Sequence, residues 1–189
     1  ADCVTSLGGV PLKIDEWGVD VAYSGSQKCL GCPPGLSPFT VSERAMDVLH
    51  ARKTKVPNWY LDLTLIEKYW SKDRAYHHTP STTLHYGFRE GLRLVLEEGL
   101  ENRWKRHRAN AEYLWRKLGD LDLSFHVAPD HRLYPLTTVV VPGGVDEEHV
   151  RVYGPRASEP IQAQLLPLHR VLVRADRDPR HRDVHRVLL

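Results

Sequence analysis

Lys28 closes the run Tyr23-Ser24-Gly25-Ser26-Gln27-Lys28, which follows directly on the alternating segment Val19-Asp20-Val21-Ala22-Tyr23. A lysine at the end of a strand, in a loop of small hydroxylated residues, can form a Schiff base when its amine is held near an aldehyde and its surroundings lower its pKa. The same residues also read as an ordinary surface loop. Asp2 lies 26 residues earlier, ahead of Ser6-Leu7-Gly8-Gly9. A carboxylate at one strand end and an amine at the next would face a single ligand from two sides. Cys29 and Cys32 form a Cys-x-x-Cys pair. Zinc needs four ligands, and only Cys3 and histidines of unsuitable spacing remain, so small residues packed beside Lys28 are the simpler account. His77 and His78 are adjacent, so their side chains are expected to diverge, which fits loop packing and hydrogen bonding better than a metal. Arg103-Trp-Lys-Arg-His-Arg108 is a basic run with one aromatic. It reads as a solvated helix face with Trp104 turned inward, not as a nucleic-acid patch. Trp59, Trp70 and Trp115 are expected in the core or at an interface.

The elements that must hold these residues alternate in type. A strand over 19–23 feeds the lysine loop, and Cys32-Pro33-Pro34-Gly35 is a strong turn signal. Leu36 to Val41 reads as a returning strand. Ser42 is the expected cap of a helix reaching about Arg52. Leu61, Leu65, Ile66 and Tyr69 recur at helical spacing within 59–70. Phe88, Leu92, Val95 and Leu96 make one apolar stripe over 84–98. Gly99 breaks that helix, and an amphipathic one runs over 100–118 with Gly119 at its end. Segments 124–127 and 136–141 read as strands, the second ending at Pro142-Gly143-Gly144. Strands mixed with long helices predict an α/β layer arrangement. Two helices in direct succession predict a crossing between domains.

Enzymes that use pyridoxal phosphate need a carboxylate against the ring nitrogen and a lysine at the aldehyde carbon. The runs Asp2-Cys-Val-Thr-Ser-Leu-Gly-Gly-Val-Pro11, Val19-Asp-Val-Ala-Tyr-Ser-Gly-Ser-Gln-Lys28 and Pro33-Pro-Gly35 meet that pattern. With Arg52-Lys-Thr-Lys55, Trp59-Tyr-Leu-Asp62, Tyr76-His-His-Thr79 and Glu98-Gly-Leu-Glu-Asn-Arg-Trp104, the chain resembles the class V aminotransferases of the fold-type-I pyridoxal phosphate enzymes. Within that family it resembles the alanine–glyoxylate (serine–pyruvate) aminotransferase branch. The likeness covers residues 1–151. It implies an α/β fold: 1–98 as the back part of a large domain with a mostly parallel sheet, 99–151 as the start of a smaller α+β domain. It implies that Lys28 links the cofactor and shuttles a proton, that Asp2 pairs with the ring nitrogen, and that Gln27 lies near the phosphate. It further implies that Tyr76 and Thr79 reach the phosphate of a partner subunit's cofactor, hence a homodimer with shared sites. The activity implied is transamination of alanine or serine with glyoxylate or pyruvate. The family is about twice as long. Its phosphate-binding turn, its ring-stacking aromatic and its substrate-carboxylate arginine find no counterpart here, and Arg170 and Arg174 are poor substitutes. A non-catalytic remnant of such an enzyme is the alternative expectation.

Composition changes along the chain. All eight lysines precede residue 118, whereas 152–189 carries seven arginines, four prolines and no lysine. A flexible basic extension, or a stretch read out of the ancestral frame, is expected there, with no packed structure of its own. The whole chain carries 26 basic and 24 acidic residues, net +2, which argues against a dedicated nucleic-acid or anionic-membrane binder. No apolar run approaches the roughly 18 residues of a membrane span. The opening residues lack a signal-peptide pattern, and Val187-Leu188-Leu189 is not a peroxisomal tripeptide. A cytosolic location is expected for the chain as it stands, against peroxisomes or mitochondria for the family. The three cysteines suggest a reducing compartment.

Overall fold

The computed structural model describes residues 1–72 and 75–146 and the backbone of a strand at 170–174. The described chain divides into two compact units, Ala1–Arg103 and Trp104–Leu189.

In the first unit, β1 (Val21–Tyr23) pairs antiparallel with β2 (Phe39–Val41), placing Val21 opposite Val41 and Tyr23 opposite Phe39. The other side of β1 receives the start of the chain. Asp2 and Tyr23 form a parallel bridge, with Cys3 N–H donating to the Tyr23 carbonyl at 2.8 Å and Tyr23 N–H to the Ala1 carbonyl at 3.2 Å. The returning strand is thus where the sequence predicts it, but shorter, because Pro38 precedes it and only three residues pair. Helix α1 (Glu43–His50) starts at the predicted cap: Ser42 Oγ accepts from Ala45 N–H at 3.1 Å. Helix α2 (Leu63–Trp70) starts later than its apolar spacing suggests, because Asp62 caps it by accepting from Thr64 N–H at 3.0 Å. The Thr64 hydroxyl lies 2.7 Å from the same oxygen, and these bonds hold the Asp62 carboxyl below the usual carboxylate range.

Helix α3 (Thr82–Glu98) buries Gly91 and Val95. Val95 packs with Leu30 and Cys32, flanked by Leu7 and Phe88, so the core of this unit lies directly under the segment that follows Lys28. Gly91 is required for that approach, since a Cβ there would collide with Cys32 Sγ. At Gly99 the backbone takes φ +78°, which a glycine adopts without strain, and α3 ends. Helix α4 (Leu100–Gly119) follows without a loop, and the division between the units falls inside it.

In the second unit, β3 (Leu136–Val140) pairs in parallel with β4 (Arg170–Arg174), Leu136 opposite Arg170 and Val140 opposite Arg174. This corrects one expectation: part of the 152–189 tail is a paired strand. Val171 and Val173 are β-branched, the residue type that a ladder favours. The rest of the tail lies outside the described residues. A second correction concerns 124–127, which contributes only one antiparallel bridge, Phe125 to Val139. The chain turns immediately afterwards, at Ala128 and the short 3-10 turn Pro129–His131, so no ladder extends. Trp115 is half-buried and donates from Nε1 to Thr137 Oγ1 at 2.9 Å, fastening α4 to β3 within this unit.

Candidate active site

The parallel bridge between Asp2 and Tyr23 gives both segments the same direction, so the turn after Asp2 and the loop carrying Lys28 leave from one end of the sheet. In α/β folds that carboxyl end is where ligands bind. The serines of the lysine loop have a physical task there. Ser24 donates from Oγ to the Cys3 carbonyl at 2.9 Å, tying the lysine loop to the residue after Asp2. Ser26, with no exposed surface, donates from Oγ to the Pro33 carbonyl at 2.6 Å. Ser37 donates from Oγ to the Ser24 carbonyl at 2.8 Å. Backbone bonds from Ser26 N–H to Leu36 and from Cys32 N–H to Ser26 close the loop on itself. Lys28 is half-buried at its edge. Gln27 folds back, its carboxamide oxygen 2.7 Å from where a Cβ on Gly25 would stand, so a side chain at position 25 would displace it.

Asp2 is exposed. Its Oδ1 accepts from Val4 N–H at 2.9 Å and its Oδ2 from the Tyr23 hydroxyl at 3.0 Å. Each carboxylate oxygen has two lone-pair sites, so both retain room for a further donor. A carboxylate so placed, with the lysine-bearing loop leaving from the same end of the sheet, suits a heteroaromatic aldehyde, which needs an acceptor at one end and a nucleophilic amine at the other.

Tyr76 and Thr79 form a second group, on the segment between α2 and α3. The tyrosine is 76% exposed and its hydroxyl shares a hydrogen bond of 2.8 Å with Thr79 Oγ1. The same segment shows the two histidines packed and hydrogen-bonded, as the sequence suggests, but not diverging. Their rings turn towards each other, with the two Nδ1 atoms 2.7 Å apart, so one ring carries the shared proton and the other accepts it. His77 is buried, stacks on Trp59 at 4.4 Å between centroids and places Nε2 3.2 Å from the Trp59 carbonyl. Trp59 and Trp70 themselves are exposed and are not core residues. An open pocket on this segment is lined by Tyr69, Trp70, Ser71, His78, Pro80 and His85.

Sequence reasoning missed Arg103. Far from belonging to a solvated face, it is buried, donates from one terminal nitrogen to Glu98 Oε2 at 2.6 Å and from the other to the Cys29 carbonyl. The residue after Lys28 is therefore held by a guanidinium 74 positions away. The one local signal was Glu98 placed across the Gly99 break from Arg103. Cys29 and Cys32 are both buried and form no disulfide. Cys29 Sγ lies 3.4 Å from the Thr5 carbonyl, and burial pushes the Cys32 thiol up, as expected of inert packing cysteines.

Comparison with known proteins gives this arrangement a lineage. The aminotransferase class-V family model matches residues 1–153. The chain is 43% identical over 156 residues to an alanine–glyoxylate aminotransferase of Rattus norvegicus, covering 80% of this chain and 38% of that protein. It is 40% identical over 168 residues to an (S)-ureidoglycine–glyoxylate transaminase of Bacillus subtilis, covering 79% and 40%. Among solved structures, an alanine–glyoxylate aminotransferase from Nostoc superposes with a TM-score of 0.76 at 52% identity, over 91% of this chain and 43% of its own. A pyridoxamine–pyruvate aminotransferase from Mesorhizobium loti superposes at 0.73 and 32%, over 94% and 43%. The chain thus spans about two fifths of the length of these relatives. The matched stretch holds both the Asp2 turn and the Lys28 loop, and on sequence and fold together the chain belongs to the class-V aminotransferases, with the fold-type-I α/β architecture.

Proposed function

We propose that this chain carries the cofactor-anchoring half of the chemistry of a pyridoxal phosphate-dependent aminotransferase, exchanging an amino group between a small amino acid, alanine or serine, and glyoxylate or pyruvate. The observation that carries the reading is the convergence of Asp2 and the Lys28 loop at one sheet end, locked together by the Ser24 bond to Cys3. The substrate class draws its support from relatives named for alanine, ureidoglycine, glyoxylate and pyruvate.

Pyridoxal phosphate, when bound, supplies an aldehyde and a protonated ring that draws electrons from the substrate Cα. Asp2, its carboxylate already fixed by Val4 and Tyr23, would accept the ring N–H and so favour the protonated nitrogen. Lys28 would hold the aldehyde end, and its amine, when free, would serve as general base and then general acid for the substrate Cα proton. Gln27, folded over Gly25, offers amide donors towards the phosphate. The Tyr76 and Thr79 hydroxyls, exposed and paired with each other, offer donors to the phosphate of a second subunit's site, which makes a homodimer the expected assembly.

Borohydride reduction in the presence of pyridoxal phosphate, followed by peptide mapping, tests the assignment in the native-length protein. The label is expected on Lys28. Lys28→Ala should lose the label together with at least about 10²-fold in turnover, since the link and the proton carrier vanish at once. A label on any other lysine would overturn the reading.

A further inference from the structure

The Asp2 carboxylate is held by two different parts of the chain. Oδ1 takes the Val4 N–H of its own turn, at 2.9 Å. Oδ2 takes a hydroxyl from the neighbouring strand, Tyr23, at 3.0 Å. The backbone contacts around Tyr23 fix where that phenol stands. Its N–H and carbonyl are paired with Ala1 and Cys3 on one side, and Phe39 faces it in the β1–β2 ladder on the other. In-register neighbours on adjacent strands direct their side chains to the same face. The contact is therefore a consequence of strand pairing and not of a chance rotamer.

The geometry points to Tyr23 as a positioning residue for the cofactor: its hydroxyl fixes the plane of the Asp2 carboxylate towards the ring nitrogen. This deepens the reading of Asp2 given above and rests on it. With one donor per oxygen, the carboxylate cannot rotate about Cβ–Cγ without breaking a bond, yet each oxygen keeps a lone-pair site for an incoming N–H. Without the Tyr23 hydroxyl, Oδ2 is released and the group swings about its Val4 bond. Pre-organised acceptors lose less on binding than mobile ones. The hydrogen bond to Asp2, and then its negative charge, raise the Tyr23 hydroxyl above the ordinary phenol range.

A double-mutant cycle on the native-length protein isolates the effect. Pyridoxal phosphate affinity is measured by absorbance titration for the parent protein, Tyr23→Phe, Asp2→Ala and the double variant, with kcat and KM alongside. Tyr23→Phe keeps the ring and is expected to weaken cofactor binding about three- to tenfold, the scale of one modest hydrogen bond, and to lower kcat with KM unchanged. Asp2→Ala should weaken binding more, and adding Tyr23→Phe to it should change nothing further. An unaltered affinity in Tyr23→Phe beside a damaged Asp2→Ala, or losses that multiply in the double variant, would overturn the role of Tyr23 alone. An Asp2→Ala protein that binds the cofactor like the parent would overturn both Tyr23 and the reading of Asp2 beneath it.

Discussion

The loop 24–33 and the helices α1 and α2 belong to the same unit but are held in opposite ways. The loop is fastened by Ser24 and Ser26, both buried, and by the buried Arg103 guanidinium, each donating to a backbone carbonyl. Helices α1 and α2 bury no residue at all. They are tied down by exposed polar pairs, Arg44 with Asp20 and His50 with Glu67, and by ring contacts such as Phe39 on Trp70 at 6.1 Å. Water weakens the second kind of contact by screening it, whereas the first kind works where an unmade bond has no substitute. The rigid anchoring therefore sits around the residue that would hold a ligand, and the softer anchoring around the surface.

Arg103 is the strongest test of that contrast. Arg103→Ala removes one partner of a largely buried ion pair and strands the Cys29 carbonyl, and is expected to cost about 3 kcal/mol of stability. Chemical denaturation would measure it. Arg103→Lys should recover only part of the loss, because one ammonium cannot match the guanidinium fork that reaches Glu98 and Cys29 together. A cost below about 1 kcal/mol, the range of exposed pairs, would put the two regions on the same footing.

Ser26→Ala should cost less, about 1 kcal/mol, the net worth of one neutral hydrogen bond. The change leaves little room to fill, so the loss of the bond to Pro33 dominates. A denaturation midpoint equal to that of the parent would show that the loop is held by its backbone bonds instead.

The contrast also explains what could be read in advance. The strand over 19–23, the Ser42 cap, the helices on either side of Gly99 and strand 136–141 announce themselves through neighbours in sequence, by apolar period or by cap chemistry. The Lys28 segment was legible as a loop after a strand from its small hydroxylated residues, while the part played by the lysine came only from the family resemblance. Arg103 was not, because its partners lie at Glu98 and at Cys29, and a run of six mostly basic residues looks alike whether solvated or buried. For the histidine pair only the expected divergence failed, for a similar reason: adjacent residues diverge on a regular strand, but the 75–81 segment is neither strand nor helix, and its backbone turns the two rings together. The 170–174 strand depends on β3, over thirty positions upstream, and four prolines around it masked that pairing.

The smallest expected effect lies at the exposed junction of β1 and α1, and there the sign of a pH dependence follows from the contacts. Asp20 Oδ1 receives Arg44 Nε at 2.9 Å and the Ser42 hydroxyl at 2.7 Å, and Oδ2 receives an Arg44 terminal nitrogen at 2.6 Å. Those donors, the Arg44 bond foremost, bring the Asp20 carboxyl down to about 2 from 3.8. A carboxyl with a lower pKa in the folded protein binds its proton more weakly there than in the unfolded chain, so protonation favours unfolding. The contribution of the pair is complete above the ordinary aspartate range and fades as the pH falls from about 4 towards 2. Both side chains face water, with the Arg44 side chain 74% exposed, so the effect should be slight and should shrink further in salt. Carboxyl NMR titration is expected to give Asp20 a midpoint near the lower value in the parent protein and a higher one in Arg44→Ala. Ser42 makes the coupling visible elsewhere, since its oxygen donates to Asp20 and caps α1 through Ala45. The amide signal of Ala45 should therefore move with the Asp20 titration. An Ala45 signal that stays still through that range would show that the α1 cap stands independently of the ion pair.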